Sequence, residues 1–206
     1  MLDNARNMVL EYSVHGMKLR EKFFSHNADK VVEAARVMAV ALARGGKIML
    51  CGNGGSAADA QHLAAEFVNR FMMERPPLPA ISLSTDTSAL TAIGNDYAFD
   101  QVFSKQVQAL GREGDVFIGI STSGNSGNVI QALKAARERN IVTIGLTGNK
   151  GGEMASLCHY LLDVPESSTC LIQEVHITVG HMLCRLVDYY LFEAVTELQP
   201  YLEPGA

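Results

Sequence analysis

The amino-acid sequence predicts an α/β fold, a doubly wound five-stranded parallel sheet with a helical N-terminal extension. Five short apolar runs alternate with segments of helical periodicity, and glycine- or serine-rich turns follow several of the runs. Short apolar strands separated by helices are typical of crossover units, which build a parallel sheet covered on both faces. The chain has 206 residues, enough for one domain with a substantial core.

The N-terminal extension, residues 1–45, is predicted to be helical, as two helices with a break near Ser25, His26 and Asn27. After the break, one wide apolar face ends at Gly45 and Gly46, and glycine is common just past a helix C-terminus. This face comprises Val31, Val32, Ala35, Val37, Met38, Val40, Ala41 and Leu42.

The alternating part of the chain starts at residue 47. Predicted strands cover residues 47–51, 79–83, 116–121, 141–148 and 160–164. Four helices are predicted among these strands. The first covers residues 56–71, and the second comes after the Ser/Thr/Asp cluster that follows the second strand. The third includes Val129 to Ala136, and the fourth covers residues 169–196. No internal repeat, low-complexity segment or linker interrupts this order, so we expect residues 1–206 to form a single domain.

Composition narrows the function classes. Apolar residues make up 48% of the chain, and the formal net charge of −5 argues against a broad nucleic-acid footprint. No run approaches the roughly 18 apolar residues of a membrane span, and the first residues lack the apolar segment of a signal peptide. The four cysteines have no C-x-x-C spacing. They therefore exclude a zinc finger and favour free thiols in a cytoplasmic protein.

Two loops after predicted strands have the chemistry of a phosphate site. The first, Gly-Asn-Gly-Gly-Ser at 52–56, lets backbone approach a ligand, and its Ser56 can cap the next helix. The second, Ser-Thr-Ser-Gly-Asn-Ser at 121–126, has four hydroxyls in six residues. Hydroxyls, amides and helix dipoles can hold a phosphate without lysine, beyond the carboxyl ends of parallel strands. Neither loop matches a nucleotide-binding fingerprint. The alternative is an ordinary strand-to-helix turn, which favours the same residues.

Polar side chains on two helices are candidates for acid–base or metal chemistry. His62 and Glu66 lie within about 40° of each other on one helix face, which suits a divalent metal or proton transfer; a solvated pair is the alternative. In the apolar last helix, Gln173, His176 and His181 need polar partners. The two histidines point about 140° apart, so helix geometry permits either beside Gln173, but not both.

These motifs together resemble those of a known family. The segments CGNGGSAADAQHLAAE, GREGDVFIGISTSGNSGNVI and IQEVHITVGH, in this order, are similar to the phosphoheptose isomerases of the sugar isomerase (SIS) domain superfamily. The resemblance covers nearly the whole chain and implies a flavodoxin-like SIS fold. It implies Glu66 and His181 as catalytic residues and one Zn²⁺ per subunit, held by His62, Glu66, Gln173 and His181. It also implies substrate contacts from Asn53, Gly54, Gly55, Ser56, Glu66, Asn95, Asp96, Ser121, Thr122, Ser123, Ser126 and Gln173.

The resemblance further implies an activity and an assembly. Members convert sedoheptulose 7-phosphate to D-glycero-D-manno-heptose 7-phosphate, the first step toward the ADP-heptose of lipopolysaccharide core or capsule. They are typically homotetramers with active sites at subunit interfaces. The apolar N-terminal extension, residues 1–45, and the apolar last helix fit such an assembly, and no nucleic-acid or membrane partner is expected.

Other members of the superfamily supply the alternatives. The segments NRF, ERPPLPA and LTAIGND also resemble the replication-initiator-associating protein, a non-catalytic SIS tetramer that lacks the Glu and the second His of the metal set. The presence of Glu66 and His181 favours the enzyme. Loop chemistry leaves open an isomerase of a pentose or hexose phosphate. A regulatory sugar-phosphate sensor would carry a DNA-binding domain, for which we see no room.

Overall fold

The computed structural model describes residues 2–202, and its five strands form one parallel sheet in the order β2-β1-β3-β4-β5. The predicted doubly wound sheet is confirmed, and each strand begins and ends within one residue of its predicted bounds. The strands are β1 (Ile48–Gly52), β2 (Ala80–Ser82), β3 (Val116–Ser121), β4 (Val142–Thr147) and β5 (Tyr160–Asp163).

Helices cover both faces of this sheet. They are α1 (Leu2–Ala43), α2 (Gly55–Val68), α3 (Thr87–Asp96), α4 (Ser104–Leu110), α5 (Gly127–Glu138), α6 (Thr169–Asp188) and α7 (Val195–Leu198). Side chains alternate across the strands: Ile48 and Leu50 join the core formed with α1, α2 and α6, whereas Met49 and Cys51 join the core formed with α4 and α5. The site described below lies on the α2 and α6 side.

Within the N-terminal extension, α1 runs without interruption from Leu2 to Ala43, and the expected break near its middle is wrong. Its polar side chains bond to carbonyls of the preceding turn: the Ser25 hydroxyl and His26 Nδ1 lie 2.9 and 2.8 Å from Lys22 O. Similarly, Asn27 Nδ2 donates to Phe23 O at 3.1 Å. Because these side chains bond within the helix, they do not end it.

The C-terminus of α1 closes as the two glycines predict. Gly45 has φ 81° and donates its N–H to Leu42 O at 3.0 Å, and Gly46 donates to Ala41 O at 2.8 Å. This pattern is a Schellman motif, which needs a left-handed residue just past the helix. The chain then enters β1 directly.

Two helices end earlier than the sequence predicts. α2 stops at Val68 rather than near residue 71, because Asn69 leaves helical geometry with φ −90° and ψ −95°. α6 stops at Asp188 rather than near residue 196, because the chain enters a π turn in which Ala194 N donates to Tyr189 O at 2.8 Å. Both early ends adjoin a buried ion pair that is described below.

The structure bears on two expectations from composition. All four cysteines are free thiols. Among residues 2–202, no helix combines the length and the apolar character needed to cross a membrane.

Candidate active site

The two loops singled out in the sequence lie side by side at the switch point of the sheet. β1 and β3 are neighbours, with Gly52 opposite Ile120, and the chain leaves them in opposite directions along the sheet. A reciprocal pair of amide hydrogen bonds joins the loops: Asn53 Nδ2 donates to Asn128 Oδ1 and Asn128 Nδ2 donates to Asn53 Oδ1, each at 2.9 Å. Ligands of open parallel sheets bind at such a switch point.

The first loop turns from β1 into α2 through glycine. Gly54 is the N-cap of α2, with φ 55°, and its side-chain position is open. The sequence suggested Ser56 as the cap, but Ser56 lies in the first helical turn and is buried. The Gln173 side chain packs on Gly55 so closely that a Cβ there would lie 2.7 Å from Gln173 Nε2. The substitution of this glycine would therefore displace Gln173.

The second loop is organised by its own hydroxyls. Ser121 Oγ lies 2.8 Å from Ser126 Oγ and 3.4 Å from Ser123 Oγ, and Asn125 N donates to Ser123 Oγ at 3.1 Å. Ser121 is buried at the end of β3, Thr122 is half-buried, and Ser123 is exposed. The hydroxyls thus lie around one turn that opens at the surface.

The turn after β4 holds this loop from outside. Gly148 N donates to Thr122 O, and Met154 N donates to Gly124 O, at 3.0 and 3.1 Å. Gly124 has φ 67°, and a Cβ at this position would overlap the carbonyl of Gly151. The positive φ and the lack of room for a Cβ both require glycine at residue 124.

Both loops present a helix N-terminus to the same region. Neither Gly54 nor Ser126, the N-caps of α2 and α5, makes a side-chain cap hydrogen bond. Unsatisfied N–H groups and the positive end of the helix dipole attract anions. Segments 52–56 and 121–128 contain no lysine or arginine, so an anion there would be held by N–H groups and hydroxyls.

Two helices bring His62, Glu66 and His181 together. His62 Nε2 lies 3.0 Å from His181 Nε2 and 3.4 Å from Glu66 Oε1. Glu66 is 23% exposed at its side chain and His62 49%. The cluster is therefore open enough to admit a ligand and close enough to exchange protons within it.

The close approach of α2 and α6 explains this meeting. Gly180 packs on Leu63, and a Cβ at Gly180 would lie 2.5 Å from the Leu63 methyl carbons. Leu63 directly follows His62 and Gly180 directly precedes His181, so the contact lies beside the paired imidazoles. The ring of Phe71 also stacks on His181, with 5.5 Å between ring centroids and 26° between planes.

The other polar residues of α6 lie elsewhere. Gln173 is eight residues before His181, about 12 Å along the helix axis, and packs on the first loop. No hydrogen bond recorded for residues 2–202 joins it to the His62 cluster. His176 is buried, with Nε2 3.0 Å from Thr147 O. Burial lowers the pKa of His176 to about 4, so its imidazole is neutral and serves the core.

Asn95 and Asp96 lie at the end of α3 and are exposed. Asn95 Nδ2 donates to Asp96 Oδ1 at 2.8 Å. In the part of the chain that the structure describes, neither is hydrogen-bonded to the two loops. A role in substrate binding thus stays a prediction for both.

Three residues near the site were not singled out from the sequence. Asn128 pairs with Asn53, and its place in the run STSGNSGN could have indicated it. The Ser84 hydroxyl donates to Gly52 O at 3.1 Å and joins the loop after β2 to the end of β1. Asp59 lies one turn before His62, its Oδ2 is buried without a partner among the described residues, and burial raises its pKa.

Comparison with known proteins identifies the family. A family model described as the SIS domain matches residues 11–148. A phosphoheptose isomerase of Nitratidesulfovibrio vulgaris (strain DSM 19637 / Miyazaki F) is 70% identical over 206 residues, which is 100% of this chain and 99% of that protein. The chain belongs to the phosphoheptose isomerase family.

Solved structures of phosphoheptose isomerases have the same fold. The enzyme from Neisseria gonorrhoeae aligns with a TM-score of 0.84 and 50% identity, over 89% of this chain and 98% of that chain. The enzyme from Francisella tularensis aligns with a TM-score of 0.86 and 37% identity over the same shares. Neither these relatives nor the family model supports the non-catalytic, initiator-binding alternative.

Proposed function

We propose that this chain is an aldose–ketose isomerase that converts sedoheptulose 7-phosphate to D-glycero-D-manno-heptose 7-phosphate. The observation that carries the proposal is that Glu66 and His181 both approach His62, on helices that adjoin the phosphate-type loops. An acid–base pair beside such loops suits the isomerisation of a phosphorylated sugar. The names of the relatives, all phosphoheptose isomerases, supply the carbon number.

The loops would hold the phosphate at one end of the open-chain sugar. Substrate contacts are proposed for the loop residues Asn53, Gly54, Gly55, Ser56, Ser121, Thr122, Ser123 and Ser126, together with Glu66, Asn95, Asp96 and Gln173. Gly55 and His62 are separated by seven residues of α2, about 10 Å of axial rise. The phosphate of a 7-phosphate ketose is likewise remote from the reacting carbons C1 and C2. Binding energy at the phosphate would therefore orient carbons that the loops do not touch.

The isomerisation moves one proton between adjacent carbons through an enediol, which needs a base, an acid and stabilisation of the developing oxyanion. We assign Glu66 as the base that takes the proton from C1 and returns it to C2. We assign His181 as the acid that protonates O2 and then accepts the proton of O1 as the aldehyde forms. In the reverse reaction Glu66 takes the proton from C2 and returns it to C1, and His181 protonates O1 and then accepts the proton of O2.

Zn²⁺ is the proposed cofactor, one ion per subunit, with His62, Glu66, Gln173 and His181 as its ligands. Imidazole nitrogens and a carboxylate oxygen suit zinc. Two tetrahedral ligands, each 2.0–2.1 Å from zinc, are about 3.3 Å apart, near the 3.0 and 3.4 Å separations measured from His62. When bound, the ion would polarise the carbonyl and hydroxyl oxygens of the substrate.

Full coordination requires side chains to turn. Within residues 2–202, no three His, Cys, Asp or Glu side chains already converge as a metal site. The ligand set is proposed from the separations of His62 from His181 and from Glu66. A bound metal ion would itself orient these partly exposed side chains. We expect Glu66 to turn toward His181 and Gln173 to extend along α6 toward both.

We also propose a cytoplasmic homotetramer with active sites at subunit interfaces. The N-terminal half of α1 supports this, because its exposed large apolar side chains are typical of a surface that another subunit covers. They are Met8, Val9, Leu10, Tyr12, Val14 and Met17. The exposed Asn95 and Asp96 are then candidates to face a neighbouring subunit. The product would feed ADP-heptose synthesis for lipopolysaccharide or capsule.

A substrate panel tests the proposal. We expect the purified chain to form heptose 7-phosphate from sedoheptulose 7-phosphate, to act far more slowly on pentose and hexose phosphates, and to lose activity with a chelator. Preference for a pentose or hexose phosphate would correct the substrate. No turnover of any sugar phosphate with zinc supplied would refute the enzyme assignment.

A further inference from the structure

The C-terminus of α2 is completed by a buried guanidinium. Arg75 Nη2 donates to Glu66 O at 2.9 Å, and Arg75 Nη1 donates to Phe67 O at 2.8 Å. The last four carbonyls of a helix have no partner within the helix. A single side chain from outside α2 thus bonds the backbone of Glu66 and of the residue after it.

The same guanidinium is bonded to the last residue of α6. Arg75 Nε donates to Asp188 Oδ1 at 2.8 Å, and both side chains are 1% exposed. Asp188 follows His181 by seven residues, two helical turns, so both lie on one side of α6. The ion pair therefore joins the end of the helix that carries Glu66 to the end of the helix that carries His181.

Arg75 also closes the segment between α2 and itself. Its Nη1 lies 3.3 Å from Asn69 O and 3.2 Å from Pro76 O. This closed segment includes Phe71, whose ring stacks on His181. One guanidinium thus supports both the backbone of Glu66 and the aromatic neighbour of His181.

Stability alone gives little reason for such a pair. Two buried charges lose their hydration, and apolar side chains of similar volume often stabilise a core equally well. The planar fork of arginine, however, fixes direction as well as distance at several acceptors. Packing of Leu63 on Gly180 sets the spacing of the two helices, whereas a fork bonded to both ends resists sliding along their axes.

We propose that Arg75 and Asp188 are positioning residues that hold α2 and α6 in the axial register at which the His62–Glu66 pair of α2 meets His181 of α6. The inference rests on the proposed isomerase function. Misplacement of reacting groups by about 1 Å can lower turnover roughly a hundredfold. The phosphate loops adjoin the strand ends instead, so loss of the pair lowers kcat with little effect on KM.

The test uses Asp188→Asn, which keeps the side-chain volume, and the double variant Arg75→Met/Asp188→Leu, which refills the space with apolar groups. The matched control is Lys47→Met/Asp115→Leu, because Lys47 and Asp115 form an ion pair at 2.6 Å at the opposite, amino edge of the sheet. We measure folding by circular dichroism, kcat and KM for sedoheptulose 7-phosphate, and affinity for zinc alone by competition with a chromogenic chelator.

We expect both Asp188 variants to fold, to lose about ten- to a hundredfold in kcat with KM within about threefold of wild type, and to bind zinc more weakly. The control keeps kcat, KM and zinc affinity even where its melting temperature falls. A folded Asp188→Asn protein with wild-type kcat and zinc affinity overturns the inference, as does an equal loss in the control. If the double variant does not fold, Asp188→Asn decides the question. An inactive wild type refutes the proposed function. In that case the zinc affinities of the wild type and the Asp188 variants decide whether Arg75 and Asp188 hold the register of α2 and α6.

Discussion

The Nε2 atoms of His62 and His181 lie 3.0 Å apart, although the two residues are separated by 119 positions in the chain. Each is carried by a helix that packs on the same face of the sheet. Glu66 completes the group from the same helix as His62. The proposed isomerase activity depends on this meeting of two helices beside the loops that follow β1 and β3.

The two histidines of α6 differ in environment, which gives a matched pair of variants. We expect His181→Asn to lose bound zinc, because its imidazole faces His62. His176→Asn should retain zinc, because its imidazole bonds Thr147 O within the core. Metal content of the purified variants, measured by mass spectrometry, decides the assignment. The reverse result would mean that the wrong face of α6 had been chosen.

The chain pattern predicted the sheet well because its signals are local. Residues 116–121 form an apolar run bounded by turn residues, and β3 has those same bounds. The break predicted in α1 is wrong because Ser25 and Asn27, although of residue types that often end helices, bond carbonyls of the preceding turn through their side chains. Residue type alone does not distinguish these two uses of a polar side chain.

The site was only partly accessible from the sequence, for a geometric reason. Helical periodicity gives the angle of a side chain about its own axis, so it placed His62 beside Glu66. It gives no axial register between two helices, so the contact with His181 came only through the family resemblance. Arg75 was missed because its partner Asp188 is 113 positions away, and no local pattern marks such a pair.

Gly124 tests the clamp on the second loop, by which we mean the contact that the turn after β4 makes with Gly124. We expect Gly124→Ala to raise KM at least about tenfold, because a Cβ would overlap the backbone at Gly151 and displace the serine turn. Gly45→Ala is the control, since Gly45 also has positive φ but has nothing within 4 Å of a Cβ. That variant should cost about 1 kcal/mol of stability and leave KM unchanged. Equal KM values in both variants would show that the clamp does not matter for binding.

Ser123 tests the phosphate contact itself. Its hydroxyl is exposed in the serine turn, and its loss should remove one hydrogen bond to a charged ligand, raising KM about tenfold. Inhibition by inorganic phosphate should weaken in parallel. Ser156→Ala, at an exposed serine bonded to Glu153 O, should change neither value. An unchanged KM in Ser123→Ala would remove this residue from the site.

His176 predicts part of the pH dependence of stability. Burial lowers its pKa to about 4 in the folded chain, whereas an unfolded histidine has a pKa near 6.5. Between these values the unfolded chain binds the extra proton, so stability falls as pH falls from about 6.5 to about 4, by about 3 kcal/mol in all. Denaturant unfolding at several pH values should show a smaller loss in His176→Asn. Parallel pH profiles for the two proteins would contradict this.

The most direct test compares Glu66→Gln with Glu74→Gln in the conversion of sedoheptulose 7-phosphate to heptose 7-phosphate. Glu74 is a neighbouring carboxylate whose side chain is 86% exposed, so its variant should retain the wild-type rate. Glu66→Gln should fold and assemble normally but turn over about 10²- to 10⁴-fold more slowly, because the base is missing. A Glu66→Gln protein that forms product at the wild-type rate would contradict the assignment of Glu66 as the base.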